Sequence, residues 1–213
     1  MLNKFKDFQK KRMEIFRELV KRGWDERLSN HNLDQLAQEI KEKYDYQQED
    51  ISFIKDHIRI ALGLDPTAED DFSNEIIKAI NYDKIDRPIV NKIDGICEEC
   101  GEEFEVSECQ ESCKYEAHMY KRTKGPIIVN DKCLSCGRCV TSCSFGALAD
   151  KIEFVPLIKE LKDDTTQVYA TVAPSIVGQF GADVTMGQLR TALKLLGFKD
   201  MIEVALFADI LTI

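Results

Sequence analysis

Residues 132–143 read KCLSCGRCVTSC, which separates Cys133, Cys136, Cys139 and Cys143 by two, two and three residues. Three thiolates on one short loop can each reach a different iron of a cubane, and the fourth thiolate of such a run crosses to a second cluster; the spacing is that of a [4Fe-4S] ligand set. The crossover demands a second set. Cys97, Cys100, Cys109 and Cys113 supply it, spaced by two, eight and three residues, and with them all 8 cysteines of the chain are used. The expected pairing puts Cys97, Cys100, Cys109 and Cys143 on one cluster and Cys133, Cys136, Cys139 and Cys113 on the other.

Two other cysteine chemistries compete with this reading. A CxxC followed by a further cysteine pair also builds a tetrahedral zinc site, an alternative that stays open for Cys97 to Cys113, whereas four thiols packed as closely as Cys133 to Cys143 suit a cubane better. Disulfides are the third possibility. The opening MLNKFKDFQKKRMEIF is amphipathic and charged, unlike the apolar core of a signal peptide. A reducing cytoplasm is the expected compartment, and disulfides are rare there.

The composition fits a water-exposed protein of more than one domain: 213 residues, 44% hydrophobic, 31% charged, with a net charge of −9. No stretch approaches the apolar length that crosses a bilayer. The acidity disfavours nucleic acid, whose phosphates such a surface repels. Glu98, Glu99, Glu102, Glu103, Glu105, Glu108 and Glu111 crowd the upstream cysteine set without an intervening Lys or Arg. They read as a solvated loop, or as an acidic rim that steers a basic partner.

An α+β multidomain chain is expected, with segments 1–92, 93–150 and 151–213. In the first, Phe5, Phe8, Ile15, Phe16, Leu19 and Val20 recur at helical spacing, with Gly23 as a stop. Asn30 or Asn32 can cap a second helix carrying Leu33, Leu36, Ala37 and Ile40. A third carries Ile51, Ile54, Ile58, Ala61 and Leu62 up to Gly63, and a fourth comes after Pro66 with Phe72, Ile76, Ile77 and Ile80. His31 and His57 stand alone in sequence and read as surface or packing residues.

In the cysteine segment, Ile127 to Val129 read as a short strand whose partner is expected at Ala147 to Lys151. Gly137, Gly101 and Gly146 lie where a tight bend can turn amides toward cluster sulfurs, and His118, in the connector, reads as a surface residue because eight cysteines already satisfy two cubanes. Beyond Ile152 come a short helix, a strand in VYATVAPS, a helix capped by Thr185 with Leu189, Ala192, Leu193 and Leu196 on one face, and a further apolar run. Strand, helix and apolar run make the start of an α/β unit, so Val168, Ala170, Val172, Leu193, Leu196, Val204, Leu206 and Phe207 are expected to stay partly exposed.

The cysteine run is similar to that of bacterial dicluster ferredoxins. The stretch VYATVAPSIVGQFGADVTMGQLRTALKLLGFKDMIEVALFADILTI resembles the opening of the catalytic domain of iron-only (FeFe) hydrogenases, notably at Ala173-Pro174, at LRTALKLLGF (residues 189–198) and at Ala208-Asp209. The resemblance covers the cysteine segment and the residues C-terminal to it; no residue-level role comes from it for the N-terminal helices. It implies electron transfer through two [4Fe-4S] clusters, between a soluble partner such as ferredoxin and the catalytic H-cluster, for reversible reduction of protons to hydrogen.

Two departures stand out. Lys114 and Ser144 take the place of the proline that usually comes after the fourth ligand, and no cysteine occurs beyond Cys143. The family's H-cluster cysteines lie downstream of this opening, so this chain alone is expected to be inactive as a hydrogenase and to pack against the remainder of that catalytic domain. A freestanding ferredoxin-like carrier or adaptor with a helical docking domain is the alternative, and a zinc-stabilised interaction module the third.

Overall fold

The computed structural model describes residues 2–28, 32–46, 51–66, 75, 77, 79–80, 89–93, 107–121, 125–129, 131–143 and 146–212. They form helices and small sheets, divided between a unit Met1–Pro156 and a unit Leu157–Ile213. Cys97, Cys100, Gly101, His31 and Asn30 lie outside the described residues, as do Phe72 and Ile76.

In the first unit, α1 (Leu2–Trp24), α2 (Leu33–Lys43) and α3 (Ile51–Ala61) turn their apolar stripes to one core. Ile15 and Leu19 of α1 meet Leu36 and Ile40 of α2 and Ile54 and Ile58 of α3, all fully buried. Asn32 caps α2, its side chain accepting from the Gln35 amide at 2.8 Å. Polar groups brace the bundle as well. The buried Glu18 carboxylate receives Arg22 at 3.0 Å and also Lys43 of α2, and Arg59 donates to Glu75 at 3.1 Å. The described residues of the expected fourth helix, Glu75, Ile77, Ala79 and Ile80, are helical.

The cysteine segment joins this same core through Ile93 and Ala149. Its elements are β1 (Val90–Lys92), α4 (Glu108–Ser112), β2 (His118–Lys121), β3 (Gly125–Ile128), α5 (Arg138–Ser142) and β4 (Leu148–Asp150). The expected pairing of the strand at 127–129 with Ala147 to Lys151 does not form. Instead β3 pairs antiparallel with β2, and β4 pairs antiparallel with β1, Lys92 opposite Leu148. Three residues of mixed polarity in β1 carry no period that sequence alone could read.

Helix α6 (Phe154–Lys162) begins in the first unit, where Phe154 meets Phe16 edge-on at 6.2 Å between ring centroids. In the second unit, β5 (Tyr169–Val172) and β6 (Asp200–Glu203) pair in parallel through the crossover helix α7 (Met186–Leu195), and α8 (Val204–Leu211) comes next. A reciprocal cap starts α7: the Gln188 amide donates to Thr185 Oγ1 at 3.2 Å while the Thr185 amide donates to Gln188 Oε1 at 2.8 Å. The apolar run after β6 is thus a helix. Val172 is buried, but Val168, Ala170 and Leu193 are half-buried and Leu196, Val204, Leu206 and Phe207 are exposed, as are Leu195 at 82% and Leu211 at 86%.

Candidate metal centre

The two cysteine runs are two copies of one backbone design. Cys109 and Cys139 each occupy the second position of a five-residue helix, α4 or α5. Cys113 and Cys143 each end that helix, with φ −85°, ψ 99° and φ −79°, ψ 99° respectively. Glu116 then donates its amide to the Cys113 carbonyl at 3.3 Å, and Gly146 donates to the Cys143 carbonyl at 3.2 Å. Both residues have positive φ, 50° and 72°. Ala117 and Ala147 come next, each buried, and their carbonyls accept from Val129 and Ile93 at 2.7 Å.

Those last two bonds carry the swap between the halves. Val129 lies four residues before Cys133, and its amide bonds Ala117, four residues after Cys113; Ile93 stands in the same relation to Cys97, and Ala147 to Cys143. The strand entering one cysteine run is therefore zipped to the strand leaving the other. Cys113 is tethered beside the loop of Cys133, and Cys143 beside the start of the segment that leads to Cys97.

Local groups prepare the thiols for an anionic, sulfur-rich occupant. The Ala117 amide donates to Cys113 Sγ and the Ser135 amide to Cys133 Sγ, both at 3.4 Å. Ser135 takes φ 55° in the loop, and its Oγ accepts from the Ile89 amide at 3.2 Å, pinning that loop to the entry of β1. Gly137, with φ 74°, lets the chain turn into α5. Ser107 Oγ stands 3.2 Å from Cys109 Sγ.

Cys109 and Cys139 are buried together with Val90, Val140 and Leu148, and Ile128 and Cys143 pack against that group. Burial first, and then the neighbouring Cys109 and Cys133, push the Cys139 thiol up to about 12. Such a thiol stays protonated in water and becomes a thiolate only against a cation. None of the six described cysteines is in a disulfide. Among the described residues no three His, Cys, Asp or Glu side chains converge on a single ion. A cubane makes a different demand, one thiolate for each iron, and the separated thiols, the amide donors at sulfur and the apolar surround fit it.

His118 departs from the sequence reading. It lies in β2, 7% exposed, and its Nδ1 has no hydrogen-bond partner among the described residues. The signal available in the sequence was its place five residues after Cys113, where Leu148 stands relative to Cys143.

Comparison with known proteins agrees with the geometry. Residues 126–149 match the family described as "4Fe-4S binding domain". The segment binds a cluster of the 4Fe-4S type. Residues 166–213 match the "Iron only hydrogenase large subunit, C-terminal domain". An uncharacterized ferredoxin of Methanocaldococcus jannaschii is 36% identical over 62 residues, 28% of this chain and 38% of that protein, so the chain spans well under two thirds of that relative's length. Together these findings fit an iron–sulfur protein related to the iron-only hydrogenases and support an electron-transfer function. Among the described residues no helix is long and apolar enough to cross a membrane.

Proposed function

We propose that this chain is the electron-transfer portion of an iron-only hydrogenase. Residues 1–92 form a helical domain, residues 93–150 hold two [4Fe-4S] clusters, and residues 151–213 open the H-cluster domain. Cys97, Cys100, Cys109 and Cys143 hold one cluster, and Cys133, Cys136, Cys139 and Cys113 the other. When bound, each cluster takes up and returns one electron. The protein's part is to hold them close in an apolar core, exclude water from Cys109 and Cys139, and direct amides at the sulfurs.

Electrons then pass between a soluble cytoplasmic partner such as ferredoxin and the H-cluster, whose own thiolates this chain does not contain. The observation that carries the reading is the swapped pairing of the two cysteine halves next to a β–α–β segment that matches the hydrogenase family. The apolar side chains left open on α7 and α8 add to it, because such a face fits cover by further polypeptide of that domain better than a freestanding carrier.

Anaerobic reconstitution tests the proposal. About eight irons and eight sulfides per chain, reducible by two electrons, are expected. Stoichiometric zinc without sulfide would sink it, and hydrogen evolution by the 213-residue chain itself would overturn the assignment of the catalytic ligands to polypeptide outside it.

A further inference from the structure

Among the described residues, the two cysteine halves differ at a buried position on the core side of their strands. In β4, Leu148 stands opposite Lys92, is 1% exposed and belongs to the apolar group around Cys109 and Cys139. In β2 the same position is His118, opposite Ile128, and Ile128 packs against that same group. Directly opposed residues of an antiparallel pair share a face of the sheet, so His118 faces the cysteines. An apolar side chain serves this position in one half; in the other there is an imidazole whose buried Nδ1 meets no partner among the described residues. A buried nitrogen left unpaired is costly and marks a missing partner.

The position dictates the chemistry of that partner. His118 is five residues beyond Cys113, and the facing Ile128 is five residues ahead of Cys133, so the imidazole lies between the two strand ends that bring those thiols together. Sulfides and thiolates accept hydrogen bonds and donate none, which places the imidazole proton on Nδ1. Burial also lowers the pKa of the ring.

Resting on the cluster assignment above, we propose that His118 donates a hydrogen bond through Nδ1–H to a sulfur of the cluster held by Cys113, Cys133, Cys136 and Cys139, raising the reduction potential of that cluster alone. Hydrogen bonds to cluster sulfurs are among the determinants of potential, because they stabilise the more negative reduced state. His118 is here a tuning residue and not a ligand.

The test uses the full chain loaded with its clusters and a potentiometric titration followed by electron paramagnetic resonance. His118→Leu, which copies Leu148, should make one of the two one-electron transitions about tenfold harder to drive, ~59 mV lower, and leave the other unmoved. His118→Asn retains an N–H near the Nδ1 position and should restore most of the shift. Both transitions unmoved in His118→Leu, or both moved alike, overturns the inference. If His118→Leu does not take up clusters, wild-type chain labelled with 15N-histidine carries the test: weak coupling of one histidine nitrogen to a reduced cluster is expected, and no coupling, or coupling as strong as direct ligation, overturns it. A wild-type chain without iron and sulfide defeats the cluster assignment itself, and iron content shows this before any variant is made.

Discussion

The two cysteine halves share a backbone but not an environment. At the turn after the helix, the second half has Gly146, and a Cβ built there would come within 2.7 Å of the Phe8 ring of α1. The first half has Glu116 in the same left-handed conformation, with its side chain 89% exposed. α1 also reaches the second half through Arg12, which pairs with Asp150 at 2.7 Å, and the loop after α3 does so through Asp65, which pairs with the buried Lys151 at 2.9 Å. A side chain is thus tolerated at positive φ where water takes it up, and glycine is needed where a helix presses on the backbone. The helical portion covers one half of the cluster scaffold, which identifies that half as the structural anchor.

The sharpest break in the symmetry is in ligand ownership, and it carries the largest effect. Cys143→Ser combined with Cys97→Ser should lose no more iron than either change alone, about four of eight irons, since both changes strike one cluster. Cys143→Ser combined with Cys133→Ser should lose both clusters. The opposite pattern, with Cys143 and Cys133 equivalent and Cys143 and Cys97 additive, would show that each run keeps its own fourth thiolate and that the strand swap has no counterpart in ligation.

Next in size is the turn. Gly146→Ala should cost about 3 kcal/mol, combining the strain of positive φ with overpacking against Phe8. Glu116→Gly should instead gain about 0.5–1 kcal/mol, less the amount that the added chain entropy of glycine removes. Denaturant unfolding of the cluster-loaded chain measures both. Phe8→Leu separates the two parts of the first effect, because a smaller side chain relieves the contact and leaves the backbone strain.

How far the sequence revealed this arrangement depended on the range of each interaction. The four-cysteine spacing from Cys133 to Cys143, the Thr185 cap and the strand and helix after Val168 are written in local spacing; a cap at Asn30 or Asn32 was also legible, and the structure uses Asn32, whereas the final apolar run gave no sign that it divides into β6 and α8. The second cysteine set was read despite the longer loop between Cys100 and Cys109, but the matching helix, turn and strand that accompany each run were not, because too few residues recur there for sequence to show them. β1 was missed for a related reason: Val90, Asn91 and Lys92 become a strand only because β4, far along the chain, supplies their ladder. His118 read as surface because it lies in the connector and eight cysteines already satisfy two cubanes, and it is buried because the register with Ile128 turns it inward.

Acid should loosen the anchored half before the other. His57 on α3 is fully enclosed, its ring 4.1 Å from that of Phe53, which in turn packs 5.9 Å from Phe8 over Gly146. Burial, and then the nearby Arg12 and Lys11 charges, lower its pKa to about 3. The unfolded chain binds a proton near pH 6.5 while folded His57 stays neutral to about 3. Stability from this site is therefore complete above pH 6.5 and falls as the pH drops toward 3, by about 2 kcal/mol between pH 7 and 5. Glu18 adds loss in the same direction only at lower pH. Burial alone would raise its pKa, yet Lys43 and Arg22 hold it below the ordinary carboxylate value of 4.5. The protection factors of β4 amides, referred to the intrinsic exchange rate at each pH, should fall over pH 7 to 5 more than those of β2 and β3, and His57→Leu should flatten the dependence. An equal fall at all three strands would mean that the helical cover does not favour one half.

The smallest expected effect lies at the helix entries, where Ser107 in one half corresponds to Gly137 in the other. The Ser107 hydroxyl has two acceptors within reach, Gln110 Oε1 at 3.0 Å and Cys109 Sγ at 3.2 Å, and it has one proton to give. Once Cys109 is a thiolate the charged sulfur is the stronger acceptor, so the hydroxyl turns toward it. Gly137 offers Cys139 no such donor. Ser107→Gly would make the halves alike, with a loss of a few tenths of a kcal/mol in helix capping and a fall in potential of less than tenfold in equilibrium, under ~59 mV. The transition that moves should belong to the cluster of Cys97, Cys100, Cys109 and Cys143, and so should be the one that His118→Leu leaves untouched. Ser107 and His118 would then set the two potentials independently. If both substitutions move the same transition, Cys109 and Cys113 serve one cluster, and the exchange of fourth ligands is wrong however well the strands are swapped.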